Sequence, residues 1–407
     1  MYLTHLSLTN FRNFARLDLD VPKGAIMVVG NNAQGKTSLL EAIFFLSSMV
    51  SFHATSDRQL INFIAAREPL SAARIVAEYQ KNHKAFRLEA RIIQEANETN
   101  GAPRLRKEIY LNGVKQKIGD AVGHFNAVLF LPQMLDVIEG SPEERRKFIN
   151  LTLSQTVSHY ANSLADYSRA LSQRNALLKM LSERGGDASQ LEYWDEQLSI
   201  AGALLIQARI DAIRDFNRLA AHIYTELCEG LDVLRIDYLP SFDPLVRPEK
   251  QFTLPVDTFI DRSGLSLDFI QTSFLACLVD LRREEISRGI TTIGPHRDDI
   301  RFLSNGIDLS NYGSRGQVRT AMLAIKLAEV AWMKEKSDDW PVLLLDEVLA
   351  ELDAQRRVDL LARLGVCEQA LLTTTDLHLF SNAFIQNATV WQVEGGRVYL
   401  NHAARAI

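Results

Sequence analysis

The sequence has few cysteines, little net charge and no long apolar run. Its three cysteines, Cys228, Cys277 and Cys367, are too far apart for a disulfide framework or a zinc-binding spacing, which favours a reducing cytosol. No apolar run reaches the ~18 residues that a membrane span needs, and the first residues do not resemble a signal peptide. A net charge of -5 excludes a general attraction to DNA, so a nucleic-acid surface must be a local patch. We expect a cytoplasmic protein that acts without a membrane.

A complete phosphate-binding pattern follows the predicted strand Ala25–Val29 and precedes the predicted apolar helix Ser38–Leu46. The candidate nucleotide-binding residues of this pattern are Gly30, Asn31, Asn32, Ala33, Gln34, Gly35, Lys36, Thr37 and Ser38. Such a loop directs backbone N–H groups at a phosphate, and the helix start adds positive potential. Lys36 is expected to reach the β- and γ-phosphates of ATP, and Thr37 to bind Mg²⁺. The alternative is a glycine-rich turn without a ligand, which the flanking strand and helix argue against.

The first third of the chain is predicted to consist mainly of strands around one helix. The other predicted strands there are Tyr2–Leu8, Ala15–Leu19, Ile75–Tyr79, Ala85–Ile93 and Glu108–Leu111. Turns are predicted at Asn97–Pro103 and Asn112–Gly113.

The middle of the chain is predicted to be helical. From Pro142 to about Gly230 we predict two long helices that form an αα-hairpin, separated at Glu183–Asp187. An irregular segment follows with Pro240, Pro244, Pro248 and Pro255, and a third helix is predicted from Ser266 to Arg288. Short strands and helices then return. The pattern indicates an ATPase domain interrupted by a helical insertion, with boundaries at residues 1–141, 142–290 and 291–407.

The segment Pro341–Glu347 is predicted to be a buried strand that ends in two carboxylates. These carboxylates, Asp346 and Glu347, match a Walker B motif. Asp346 is expected to hold Mg²⁺ and Glu347 to polarise the attacking water, so that both act with Lys36 in catalysis. A strand followed by a solvated turn is the alternative, and the phosphate-binding loop favours the catalytic interpretation.

The segment Gly313–Gln317 is predicted to open a helix and to form a second anion site. Ser314 and Gly316 leave backbone N–H groups accessible at the helix start. Two phosphate-binding helix ends in one chain are expected if one nucleotide is held from two sides. A plain helix with a glycine-rich cap is the alternative.

These motifs resemble the set found in ABC-type ATPases. The signature corresponds to Ser314-Arg315-Gly316-Gln317, and a D-loop to Glu351-Leu352-Asp353. In that family the signature of one subunit closes over the nucleotide of another. The resemblance therefore implies an ATP-dependent homodimer in which Ser314, Gly316 and Gln317 reach the partner's nucleotide.

Within this group the chain resembles the RecF family. The 277 positions from Lys36 to Gly313 are too many for a transporter domain and too few for an SMC-type coiled coil. The segments Asn10–Phe14, Phe130–Phe148 and Thr291–Asp299 are similar to motifs of the family. Thr373–Asp376 lies where a transporter has its switch histidine, which suggests slow turnover.

The resemblance implies an α/β fold: a two-lobed ABC-type ATPase head, with a mixed sheet around the phosphate-binding loop, an antiparallel strand lobe and an inserted helical arm. It implies ATP-dependent binding of double-stranded and gapped DNA during recombinational repair, and cooperation with RecO and RecR in loading RecA. A weak, slow, DNA-stimulated ATPase is expected. The alternatives are another ABC-type repair or defence ATPase and, less favoured, a transporter's nucleotide-binding domain.

Three assignments stay open. Arg12 either approaches the phosphates, as its counterpart does in related ATPases, or is a free surface arginine. Gln133 is either the Q-loop residue that senses Mg²⁺ and the γ-phosphate or a surface turn residue. His296 invites a metal interpretation with Asp298 and Asp299, but one tight segment without a second cluster favours a structural role.

Basic residues are concentrated in the strand-rich stretch 81–117. They are Lys81, Lys84, Arg87, Arg91, Arg104, Arg106, Lys107, Lys115 and Lys117. Such a patch is suited to DNA phosphates, although no interleaved aromatic residues suggest base stacking. The alternative is a solvated charged edge that blocks strand pairing.

Overall fold

The structure is a computed structural model, and its description covers residues 1–95, 104–245 and 260–400. The predicted turn at Asn97–Pro103 and two of the predicted segment's prolines, Pro248 and Pro255, lie outside these residues. The strands are β1 (Tyr2–Phe11), β2 (Phe14–Asp20), β3 (Gly24–Val29), β4 (Leu70–Lys81), β5 (Lys84–Glu95), β6 (Arg104–Leu111), β7 (Val114–Gln116), β8 (Ala127–Phe130), β9 (Leu234–Leu239), β10 (Asp299–Ser304), β11 (Ile307–Asp308), β12 (Val342–Asp346), β13 (Gln369–Thr374), β14 (Thr389–Glu394) and β15 (Arg397–Leu400).

The helices are α1 (Lys36–Ser48), α2 (Ile118–Ala121), α3 (Asp136–Glu139), α4 (Pro142–Thr156), α5 (Tyr160–Arg184), α6 (Leu191–Leu227), α7 (Leu267–Arg288), α8 (Leu309–Tyr312), α9 (Arg315–Ser337), α10 (Ala354–Leu364) and α11 (Asn382–Asn387). The predicted strands are confirmed. The helices predicted to begin near Ser38, Ser266 and Gly313 are also confirmed, as α1, α7 and α9. The single helix predicted between Pro142 and Glu183 is wrong. The chain breaks after α4 because Val157 is extended and His159 adopts a left-handed backbone, so α4 and α5 are separate helices.

The chain divides into two compact units, residues 1–134 with 329–407 and residues 135–328. The first unit contains an antiparallel sheet of order β2-β1-β4-β5-β6-β7 and a mainly parallel sheet of order β15-β14-β3-β13-β12-β8. Helix α1 contacts strands of both sheets. Apolar residues of α1, such as Leu39, Ile43 and Phe45, are fully buried in a core shared with both sheets. This burial fixes the start of α1 against the parallel sheet.

The second unit contains α4–α7 and a small sheet of order β11-β10-β9. Its boundaries differ from the predicted ones, because residues 291–328 pack within this unit. Strand β10 pairs with β9, and the buried Asp298 accepts a hydrogen bond from Arg209 of α6 at 2.8 Å. Helix α7 begins where Ser266 accepts a hydrogen bond from the Phe269 N–H and ends at the left-handed Gly289.

Candidate functional site

The parallel sheet places the phosphate-binding loop and the Walker B carboxylates at the same edge, where its strands end. Strand β13 pairs with β3 on one side and with β12 on the other, all parallel. The phosphate-binding loop leaves the carboxyl end of β3, and Asp346 is the last residue of β12. Strand β8 lies beside β12 and leads into Pro132 and Gln133. In open α/β sheets, ligands bind at this carboxyl edge.

The loop before α1 has the conformation of an anion site. Ala33 and Gly35 have positive φ angles of 63° and 118°. Gly35 is the N-cap of α1, so the loop wraps the start of a helix whose first N–H groups have no helical partner. A φ of 118° strains any residue except glycine, which explains the second glycine of the motif.

Lys36 is buried, and its ammonium group contacts the first residues of the phosphate-binding loop. Its Nζ donates hydrogen bonds to the carbonyl oxygens of Gly30 at 2.8 Å and Asn31 at 3.2 Å. Nζ also lies 3.1 Å from Oε1 of Glu347, the residue after Asp346. The sequence predicted that these residues share a site. It did not predict that the lysine is paired with the glutamate.

Oxygen atoms from three elements meet beside the loop. The Thr37 hydroxyl donates to the two carboxylate oxygens of Asp346, at 2.8 and 3.1 Å. Thr373 at the end of β13 donates to the same carboxylate at 2.6 Å. A hydroxyl and a carboxylate in contact fit Mg²⁺, which prefers oxygen ligands and keeps waters or substrate phosphates in its other positions.

A cavity of about 850 Å³ opens over these groups, a size typical of small-molecule sites. The predicted residues on its lining are Arg12, Asn32, Ala33, Gly35, Lys36, Thr37, Ser38, Gln133, Asp346 and Glu347. The predicted residues Gly30, Asn31 and Gln34, all of them described, lie outside this lining. The structure thus brings Arg12 and Gln133 to the same cavity as Lys36.

Arg12 is anchored and is not a free surface arginine. Its Nε and Nη2 each donate to the carboxylate of Glu41 at 2.7 Å, and its Nη1 donates to the Gln59 carbonyl at 3.0 Å. Glu41 belongs to α1 and is 1% exposed. It also accepts a hydrogen bond from Ser51. Sequence reasoning missed Glu41, although a charged residue inside an otherwise apolar helix face was a usable signal.

Sequence reasoning also missed a wall of the cavity formed by residues 53–64. His53, Gln59 and Asn62 line it, as do Phe63 and Ile64, which are 72% and 74% exposed. The Asn62 amide donates to the Arg12 carbonyl at 2.7 Å, so this wall is tied to the β1–β2 turn. Irregular loops carry no periodic pattern, and the sequence gives little sign of such a wall.

The signature segment lies in the second unit. Ser314 Oγ accepts a hydrogen bond from the Gln317 N–H at 3.2 Å, and the Gln317 side chain accepts one from the Ser314 N–H at 3.0 Å. This reciprocal pair is a capping box that starts α9. Arg315 and Gly316 are exposed at this start, and anion binding there stays a prediction.

The residues of the Thr291–Asp299 motif are committed to contacts within the second unit. Asp298 pairs with Arg209 and also accepts hydrogen bonds from Tyr238 and Ser241, while Asp299 pairs with Arg145. His296 Nδ1 lies 2.7 Å from the Tyr167 hydroxyl, and burial lowers the pKa of His296 to about 4. Within residues 1–95, 104–245 and 260–400 no cluster of three or more His, Cys, Asp and Glu side chains suits a metal ion.

In the folded chain, nearby glutamates offset part of the positive charge of the basic stretch 81–117. Glu89 accepts from Arg74 and Arg91, which holds the pKa of Glu89 down at about 2, and Glu108 accepts from Lys115. Two further lysines bind main-chain oxygens of their own chain. Lys81 donates to the carbonyls of Gly123 and His124, and Lys107 donates to the carbonyl of Met49.

Comparison with known proteins decides the family. The model of the RecF/RecN/SMC N terminal domain matches residues 2–398. The DNA replication and repair protein RecF of Chloroflexus aurantiacus is 40% identical over 98% of this chain and 100% of its own length. The chain belongs to the RecF family. The RecF resemblance and the role in DNA replication and repair are thereby confirmed.

Two solved RecF structures confirm the fold. The recombination mediator protein RecF-ATPrS in the RecFOR pathway has a TM-score of 0.81 and 30% identity, over 98% of each chain. Its RecF-ATP counterpart has a TM-score of 0.80 and 29% identity, over 98% of this chain and 97% of its own. The predicted ABC-type ATPase head is confirmed, and the transporter alternative is not supported. No helix among the described residues is long and apolar enough to cross a bilayer.

Proposed function

We propose that this RecF-family protein is an ATP-dependent DNA-binding protein of recombinational repair. ATP with Mg²⁺ binds in the cavity, ATP joins two copies of the chain, and the dimer binds double-stranded and gapped DNA. The observation that carries the proposal is the meeting of Lys36, Thr37, Asp346 and Glu347 at one sheet edge. The RecF relatives with ATP or ATPrS and their RecFOR pathway support it.

The geometry of the cavity supports the nucleotide roles that we propose. Lys36 and the start of α1 would bind the β- and γ-phosphates, and Thr37 and Asp346 would hold Mg²⁺, which would neutralise phosphate charge. Glu347 orients the attacking water, and Gln133 lies on the same lining. Arg12 lines the cavity, and the carboxylate of Glu41 holds its guanidinium in place. We expect slow turnover, because the segment after β13 supplies Thr375 and Asp376 where a switch histidine would stand.

The position of the signature segment supports the proposed dimer. Ser314, Gly316 and Gln317 lie at the start of α9, where Ser314 and Gln317 cap each other and the exposed Arg315 and Gly316 leave the first helical turn accessible to a phosphate. We propose that this start reaches the nucleotide in the cavity of a second copy. Each of the two sites then contains Lys36 from one subunit and Ser314 from the other.

The DNA surface is proposed to include the outer face of the antiparallel sheet. Arg87, Arg91, Arg104 and Arg106 alternate there with glutamates, so only a modest positive potential remains and contacts with the phosphate backbone are favoured. ATP-driven pairing would double this surface. Cooperation with RecO and RecR in loading RecA, and a cytoplasmic location, complete the proposal.

Subunit complementation tests the shared site. Lys36→Ala and Ser314→Arg each remove one half of both sites, so each variant alone should lack DNA-stimulated ATPase activity. Random mixing of a two-fold dimer yields half heterodimers with one intact site each, or roughly a quarter of the wild-type activity. Mixing Lys36→Ala with Glu347→Gln is the matched control, because these changes affect the same half and should not complement. Equal recovery in both mixtures, or in neither, contradicts the shared site.

DNA binding is tested by fluorescence anisotropy with duplex and gapped DNA, with and without ATP. We expect ATP to raise the affinity of the wild type and not of Lys36→Ala. Arg106→Ala should weaken binding and reduce its salt dependence, whereas Lys23→Ala, a loss of the same charge at an exposed lysine stacked on Tyr2, should not. Equal stimulation of wild type and Lys36→Ala by ATP would contradict the coupling.

A further inference from the structure

The turn between β14 and β15 lies against the phosphate-binding loop. Gly395 and Gly396 form this turn with φ angles of 53° and 72°, and Glu394 pairs with Arg397 beside it. The Gly395 N–H donates to Oε1 of Gln34 at 2.7 Å, and the Gly396 N–H donates to the Gln34 carbonyl at 3.1 Å. Two consecutive amides of the turn therefore hold one residue of the loop.

Asn13 holds the same carbonyl from the β1–β2 turn. Its Nδ2 donates to the Gln34 carbonyl at 2.9 Å, so this oxygen accepts two hydrogen bonds. In a trans peptide the C=O of Gln34 and the N–H of Gly35 point in opposite directions. Among the described residues, Gly35 lines the cavity and Gln34 does not. Fixing the Gln34 carbonyl on the outer side therefore directs the Gly35 N–H towards the cavity.

The three segments approach each other at distances that only glycine permits. A Cβ added to Gly396 would lie 2.4 Å from the Asn13 carbonyl oxygen. One added to Gly35 would lie 2.5 Å from Asn13 Nδ2, and one added to Gly30 would lie 2.3 Å from the Val393 carbonyl oxygen of β14. The glycines of the loop are thus required by its contacts with the chain as well as by a phosphate.

We propose that the Gly395–Gly396 turn positions the phosphate-binding loop, so that the Gly35 N–H is directed at the nucleotide phosphates before the nucleotide binds. Gln34 and Gly396 are positioning residues, because they act through the Gly35 amide. Donors oriented in advance need no reorganisation when the anion arrives. The inference rests on the proposed ATP site. It adds that the Gly395–Gly396 turn, far from the loop in sequence, sets the affinity of that site for the nucleotide.

Gly396→Ala is the test variant, and Gly113→Ala is its matched control. Asn112 and Gly113 connect β6 to β7 with φ angles of 50° and 81°, which is nearly the conformation of Gly395 and Gly396. A Cβ on Gly113 has nothing within 4 Å. Both variants place alanine at a similar positive φ, and only Gly396→Ala forces the turn away from Asn13.

The measurements are the affinities for ADP and inorganic pyrophosphate by calorimetry, with thermal unfolding as a check of folding. We expect Gly396→Ala to weaken both affinities roughly tenfold and Gly113→Ala to leave them within about twofold. Gly396→Ala should also lose more thermal stability than Gly113→Ala, because only its Cβ meets a backbone oxygen. Gln34→Ala, which removes the acceptor for Gly395 without a clash, should also weaken both. In steady state, Gln34→Ala should raise KM for ATP and leave kcat unchanged.

If Gln34→Ala and a folded Gly396→Ala bind like Gly113→Ala, the inference is overturned while the ATP site stands. If Gly396→Ala does not fold, Gln34→Ala decides alone. A wild type that binds neither ADP nor pyrophosphate would instead overturn the proposed function and this inference with it.

Discussion

Glu347 has an observed contact, with Lys36, and a proposed catalytic role, and the substitution Glu347→Gln tests both. We propose that its carboxylate orients the water that attacks the γ-phosphate, and the carboxylate lies 3.1 Å from the ammonium group of Lys36. An incoming triphosphate competes with Glu347 for that lysine. The amide in Glu347→Gln keeps the shape and removes the charge. We therefore expect the variant to bind ATP more tightly and to hydrolyse it more slowly.

The size of each effect follows from the geometry. Two unit charges at this distance attract by about 1 kcal/mol in a water-like dielectric. Glu347 is 42% exposed, so screening limits the net attraction in the pair to at most roughly 1 kcal/mol. The gain in ATP affinity is then at most about fivefold, and it should shrink at high salt. Loss of the group that orients water should slow turnover by roughly 100-fold or more.

The assay combines ATP titration at two salt concentrations with steady-state hydrolysis. Glu78→Gln is the matched control, since Glu78 is 48% exposed and is paired with Arg87 at 3.8 Å. That control should change neither quantity. An ATP affinity for Glu347→Gln equal to or below that of Glu78→Gln would refute the competition for Lys36, and unchanged turnover would refute the catalytic role.

Three further predictions concern buried groups. Asp298→Asn should lower the free energy of unfolding by about 3 kcal/mol in urea, because it leaves the buried Arg209 without a counter-charge; a loss below about 1 kcal/mol contradicts this. Glu41→Gln should cost about 2 kcal/mol on the same assay and weaken ATP binding, because Arg12 loses its anchor. The pKa of His296 is about 4 in the folded chain and near 6.5 when unfolded, so the unfolded chain binds more protons between these values. Stability from this group is present above pH 6.5 and is lost towards pH 4, and His296→Gln should show a smaller stability loss between pH 7 and pH 5 than the wild type.

The arm illustrates what sequence periodicity resolves and what it does not. Helix α7 was predicted within one residue, because Ser266 and Gly289 are local start and stop signals. The break at Val157 was missed, since no glycine or proline marks it and its cause is the left-handed His159. Tertiary packing decides such a conformation, and the local pattern does not record it.

The nucleotide site and the basic stretch show the same division. Lys36, Thr37, Asp346 and Glu347 were predictable, because each stands at a fixed place in a short motif beside an apolar strand. The anchoring of Arg12 by Glu41 depends on a helix and a turn that are far apart in sequence. The sequence predicted a positive patch from the basic residues of β5 and β6. The sheet adds an ion pair across strands, between Glu89 of β5 and Arg74 of β4.

The sequence by itself determined the ATPase motifs, their order and the length of the chain between them, because these depend on local composition and spacing. Only the tertiary structure decided which side chains have hydrogen-bond or ion-pair partners within the chain. Lys36 is paired with Glu347, Gln34 is turned towards Gly395, and Asp298 is buried against Arg209. The physical reason is that hydrogen bonds and ion pairs form between atoms adjacent in space, and strand pairing brings together residues hundreds of positions apart.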